Sequence, residues 1–147
     1  MEDKNKYLIA LSENPVAQFW KVPYEKLTAA EKVFVSVWEL EAEVNNGGFH
    51  QYFFNSSGDN AKYCVSALER IGAMNAAALV RQANSVFENG EPPVDSEIRQ
   101  SKVESFTEEQ KNFLDQLDQK FFKYPDKLTE LLYDFVMKNR GEIRGLN

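Results

Sequence analysis

Large apolar residues recur three and four positions apart through almost the whole chain, and no stretch alternates with period two for long enough to form a strand. A helix buries one stripe and a strand buries every second residue, so this pattern points to helices packed on helices. The spacing predicts a short helix near 7–11 and a second running from the Thr28-Ala-Ala-Glu31 capping box to Asn46, where Gly47-Gly48 stops it. A brief helix over 49–54 follows. Asp59 is expected to cap a helix with Ala61, Cys64, Val65, Leu68 and Ile71 on one face, and Asn75 to open another with Leu79, Val80, Ala83, Val86 and Phe87 inward. The Thr107-Glu-Glu-Gln110 capping box starts a helix whose Phe113, Leu114, Leu117 and Phe121 share a face, and Pro125 separates it from a last helix over Leu128, Leu131, Leu132 and Phe135. Residues 88–106 lack periodicity and carry Asn89-Gly90 and Pro92-Pro93, so they read as a crossover with a short helical turn. The expected fold is all-α, a compact single-domain bundle of six to seven helices over residues 1–147.

A chain of 147 residues buries about 70% of its unfolded surface, enough for a core without staples. The lone cysteine, Cys64, cannot form an intramolecular disulfide and sits on an apolar face, where an inert buried thiol is expected. The first residues mix charges before a short apolar stretch, which is not the pattern of a signal peptide, and no run approaches the roughly 20 residues of a membrane span. A cytoplasmic protein is expected.

The net charge of -6 is concentrated. Residues 88–118 contain nine acids (Glu88, Glu91, Asp95, Glu97, Glu104, Glu108, Glu109, Asp115 and Asp118) against the three bases Arg99, Lys102 and Lys111, while the rest of the chain is balanced. Such a field repels nucleic acid and anionic membrane and favours a protein partner with a basic surface. Glu88, Glu91, Asp95, Glu97, Glu104, Glu108, Asp115 and Asp118 are therefore the candidate partner-binding residues. On the helix after Thr107, Glu108, Asp115 and Asp118 are read on the solvent side, with Glu108 and Asp115 about 10.5 Å apart along the axis.

Glu41 falls within the apolar face that Val33, Phe34, Val37, Trp38, Leu40 and Val44 make on the second helix, whereas Glu39 and Glu43 point away. A carboxylate there needs donors, and Asn45 and the free N–H groups at the start of the Phe49 helix are the nearest. The expected role is structural, fixing the bend at Gly47-Gly48, with Asn46 and Gln51 in the same motif. Those glycines match neither GxxxxGK[ST] nor GxGxxG, and no strand precedes them, so a phosphate cradle is not expected. His50 is the only histidine and no nucleophile motif accompanies it. No catalytic residue, metal ligand or cofactor site is nominated, and the chain is read as a non-enzyme. Phe49, Tyr52, Phe53 and Phe54 are core-like, although four aromatics in six residues cannot all face one side.

The run from Glu41 through Asn46-Gly47-Gly48-Phe49-His50-Gln51 to Asp59, followed by 67–73 and 83–87, resembles the bacterial family of DNA-mimic-protein-like domains over roughly residues 24–140. Most members of that family have no assigned function. Its characterised branch is an acidic, dimeric, all-helical protein that imitates duplex DNA on a helix-turn-helix repressor. The resemblance therefore implies the helical fold, a homodimer and a basic regulator as partner. Two other readings stay open: a ligand-binding or enzymatic domain using Glu41, Asn45, His50 and Gln51, and an immunity- or antitoxin-type protein neutralising a basic toxin.

Overall fold

Burial is nearly complete around the whole circumference of one helix turn after Thr28, where Ala30, Val33, Phe34, Val35, Ser36 and Val37 are all shielded from solvent. A helix apolar on every side belongs in the centre of a bundle, and the computed structural model, which describes residues 3–146, places it there. The helices are α1 (Lys4–Ser12), α2 (Ala29–Phe54), α3 (Ala61–Arg70), α4 (Met74–Asn84), α5 (Ser96–Glu104), α6 (Glu108–Phe122) and α7 (Leu128–Lys138). Short 3-10 turns lie at Tyr24–Lys26, Ser56–Asn60, Glu88–Gly90 and Arg140–Glu142, and no strand occurs among the described residues. α2 packs against α3, α5, α6 and α7, while α1 packs on α7, and α4 joins α3 to α6.

Both expected capping boxes form. Thr28 Oγ1 accepts from Glu31 N–H as the Glu31 carboxylate accepts from Thr28 N–H, and Thr107 with Gln110 repeats the arrangement. Glu31 is fully buried, and its other carboxylate oxygen accepts from the backbone N–H of Arg144 at 3.0 Å, which ties the C-terminal segment to the start of α2. α4 has no cap of its own. Asp126, from the α6–α7 connection, accepts instead from Ala76 N–H at 2.7 Å and from the Asn75 amide at 3.0 Å.

Two expectations change. The crossover 88–106 contains a nine-residue helix, α5, capped by Asp95, whose carboxylate accepts from Ile98 N–H. Asp59 caps nothing: α3 begins after Asn60 with no side-chain cap, and Asp59 is engaged elsewhere. No helix among the described residues is long and apolar enough to cross a membrane.

Candidate functional site

α2 is two helices joined at a kink. Gly47 has φ -155 and ψ 18, Gly48 has φ 74 and ψ -176, and helical geometry resumes at Phe49. The kink frees backbone N–H groups at the head of the second half, residues 49–54, and they lie inside the protein, where an unpaired N–H is costly. Asp118 of α6 meets that need: its Oδ1 accepts from Phe49 N–H at 2.8 Å. The approach is so close that a Cβ on Gly48 would stand 2.3 Å from Asp118 Oδ2. Gly48 is thus required twice, by its positive φ and by the carboxylate against it. Burial raises the Asp118 pKa, and the Phe49 bond and His50 pull it back.

The other end of the same half is held by a cation. Arg99 of α5 is fully buried, and each of its five N–H donors has an acceptor. Nε donates to Phe53 O at 2.6 Å, one terminal nitrogen to Pro93 O and Val94 O, and the other to Asn55 O and to Asp59 Oδ1 at 2.7 Å. Gln100 adds a bond to Phe54 O at 2.9 Å. Residues 49–54 therefore sit between an acid at their N-terminus and a guanidinium at their C-terminus, the arrangement the helix dipole favours. Gly58 leaves room for it, since a Cβ there would meet Arg99 Nε at 2.6 Å.

Three side chains of α2 take roles different from those expected. The Glu41 carboxylate does not reach the Phe49 N–H; it accepts from the Tyr124 hydroxyl at 2.9 Å, and that hydroxyl accepts from the Asn45 amide at 2.7 Å. Glu43, expected to point away, spans the kink and accepts from the Gln51 amide at 2.7 Å and the Asn55 amide at 2.9 Å. Glu39 is half-buried with no hydrogen bond from another described side chain, and burial, with Glu43 and Asp59 nearby, pushes its pKa up to about 7. Asn46 and His50 are exposed, the latter stacked on Phe54 with ring planes 6° apart. Phe49, Tyr52 and Phe53 are core, so the aromatic cluster leaves no large exposed patch. Cys64 is buried too, and desolvation raises its thiol to about 12.

Of the nominated acids, Glu88, Glu91, Asp95, Glu97, Glu104, Glu108 and Asp115 are exposed, as is Glu109. Asp118 is not; it must leave the solvent row, because the stripe α6 buries is Leu114, Leu117, Asp118 and Phe121. Arg99 leaves the surface as well. Eight exposed acids then face two exposed bases, Lys102 and Lys111, so the surface of 88–118 keeps a balance of -6. Glu91 pairs with Lys62 and Glu108 with Lys111, whereas Glu88, Glu97, Glu104, Glu109 and Asp115 have no ion pair among the described residues.

With the Gly47-Gly48 kink, its two clamps and the acidic surface in place, comparison with known proteins bears on identity. The family described as DMP19-like protein matches residues 25–139. The chain belongs to that family, one of DNA-mimic proteins. The matched span takes in α2 through α7 and leaves out α1, most of the connection that follows it, and the final residues that strap α2. No curated protein and no solved structure matches the chain.

Proposed function

We propose that this family member binds a basic protein surface through the acidic face of α5, α6 and the loop before them, and that a helix-turn-helix regulator's DNA-binding face is the surface it fits. The observation that carries the reading is the charge left after burial: with Arg99 and Asp118 both withdrawn into the clamp, eight exposed acids stand against two lysines. Val94 and Ile98, 72% and 54% exposed, lie within the acidic segment. They supply apolar contact that suits a protein partner better than a loose counterion cloud. Along α6, Glu108 and Asp115 are about 10.5 Å apart, against about 3.4 Å per phosphate along one DNA strand. The mimicry is therefore of selected phosphates. Pairing of two copies, which would double the charge of -6, belongs to the same proposal and is read by sedimentation equilibrium.

The test is displacement. Purified helix-turn-helix repressors, each bound to a labelled operator duplex, are titrated with the protein and followed by fluorescence anisotropy. Release of the duplex from at least one repressor is expected, weakening by about tenfold or more between about 50 and about 300 mM salt. Glu97→Gln, Glu104→Gln, Glu108→Gln and Asp115→Asn combined should abolish it. Retention of every duplex, or release that the combined variant leaves intact, overturns the proposal.

A further inference from the structure

We infer that the cavity between α1, α2 and α7 beside Glu41 is a binding site for a small organic cation, a primary ammonium on a short alkyl chain. The site is separate from the acidic face and stands without it. Its volume is about 140 Å³. Pockets for drug-sized ligands run to roughly 300–1,000 Å³, and a water occupies about 30 Å³, so the occupant has only a handful of heavy atoms. Leu8, Trp38 and Leu132 give it apolar walls, and Asn5 and Thr129 add polar groups whose side chains bond to no other described residue.

Charge selects the ligand. Glu41 lines the cavity, half-buried, and has no ion pair among the described residues, whereas six other acids of the protein do. Its one protein donor is the Tyr124 hydroxyl, on Oε1. Asn45 donates to that same hydroxyl, which fixes the phenolic hydrogen toward Glu41 and leaves Oε2 without a donor from a described residue. A half-buried carboxylate with a single neutral donor is under-compensated, and desolvation raises its pKa accordingly. A cation in the cavity would complete it. A guanidinium fork needs two free carboxylate oxygens and finds one, whereas an ammonium is a point charge whose other hydrogens Asn5 and Thr129 can accept. A divalent metal favours several charged oxygen ligands, whereas Glu41 is the one carboxylate among the lining residues and no group of three His, Cys, Asp or Glu side chains that could hold a metal ion occurs among the described residues. Trp38 supplies a π surface that favours an organic cation over a bare ion.

The experiment titrates n-butylammonium into the ¹⁵N-labelled protein and follows the Trp38 indole and the amides of Leu8, Ala42 and Thr129. Saturable shifts confined to these positions are expected, with the carboxyl ¹³C titration of Glu41 moving to lower pH. Glu41→Gln should weaken binding about tenfold or more, as should Ala42→Phe, which fills the cavity from the exposed side and leaves the carboxylate in place. 1-Butanol, of matching shape without charge, should bind about tenfold or more weakly. A parallel titration with Nα-acetyl-lysine methylamide separates sources: binding admits a lysine side chain from a protein, exclusion assigns a free amine, and either keeps the ammonium chemistry. Shifts that never saturate, or equal binding to Glu41→Gln or of butanol, overturn the inference. The four-acid variant of the displacement test should bind butylammonium unchanged, so the two proposals fail separately.

Discussion

Replacing Gly48 by alanine tests the clamp at its tightest point. The position has φ 74 and ψ -176, a region open almost only to glycine, and a side chain held there costs about 1–3 kcal/mol. The new Cβ would also stand 2.3 Å from Asp118 Oδ2, so the carboxylate must withdraw and surrender its bond to Phe49 N–H, a charged hydrogen bond worth about 1.5–3 kcal/mol. Together these predict that Gly48→Ala destabilises the protein by about 3–5 kcal/mol. Gly141 is the control, since its φ is not positive and a Cβ there would meet nothing within 4 Å. Alanine at this exposed position should change stability by no more than about 0.5 kcal/mol. Urea unfolding followed by the fluorescence of Trp20 and Trp38 measures both. The clash portion should also vanish once its partner is gone, so Gly48→Ala should cost less in an Asp118→Ala background, by about 1 kcal/mol or more. Equal costs for the two glycines, or strict additivity with Asp118→Ala, would refute the reasoning.

Glu39 sets the pH dependence. Its carboxyl is raised from 4.5 to about 7 in the fold, so its favourable contribution is complete below pH 4.5 and is lost as pH rises through 7; Glu39→Gln should be more stable than the parent by about 2 kcal/mol at pH 8, after allowance for solvent screening, with most of that gain gone at pH 5. A parent and variant that stay parallel across this range in urea unfolding would contradict it. Arg99→Met leaves Asp59 and the carbonyls of Phe53 and Asn55 without their donor, and a loss of about 3–5 kcal/mol is expected, with accelerated amide exchange over 53–58 before the rest of α2. Spin labels at Glu97→Cys and Asp115→Cys, which the buried Cys64 does not compete with, should give a narrow distance distribution that Gly48→Ala broadens; an unchanged distribution would separate the clamp from the acidic face.

Helix existence was legible because apolar spacing and capping boxes are local signals, and α2, α3, α4, α6 and α7 lie within a few residues of their expected limits. α5 was hidden for a physical reason: the side chains it buries are Val103 and an arginine, while its Ile98 faces solvent, so hydrophobic periodicity has nothing to detect. On α6, counting Phe113 as core turned the apparent inner face away from Asp118, yet Phe113 is 37% exposed and Asp118 only 9%. At the Gly47-Gly48 kink, the carboxylate that meets the freed N–H is Asp118 and not the expected Glu41. Glu41 is near Phe49 in sequence, whereas the group that caps Phe49 is 69 residues away and comes into reach only through packing of α6 on α2.

Two buried charges, Asp118 and Arg99, connect the motif to the surface. Asp118 is on α6 with Glu108 and Asp115; Arg99 is on α5 with Glu97 and Glu104. Each uses one inward charge to grip an end of residues 49–54, and each helix turns its remaining acids outward. The charge balance of the exposed face is unaffected, because one acid and one base are withdrawn together. What the withdrawal supplies is position: a buried, fully bonded arginine and a buried capping carboxylate fix α5 and α6 against a common short helix, and rigid placement of charges is what recognition of a patterned surface needs more than extra charge does. The Asn-Gly-Gly-Phe segment need not touch a partner to matter to one, since its kink creates the helix end that Asp118 grips.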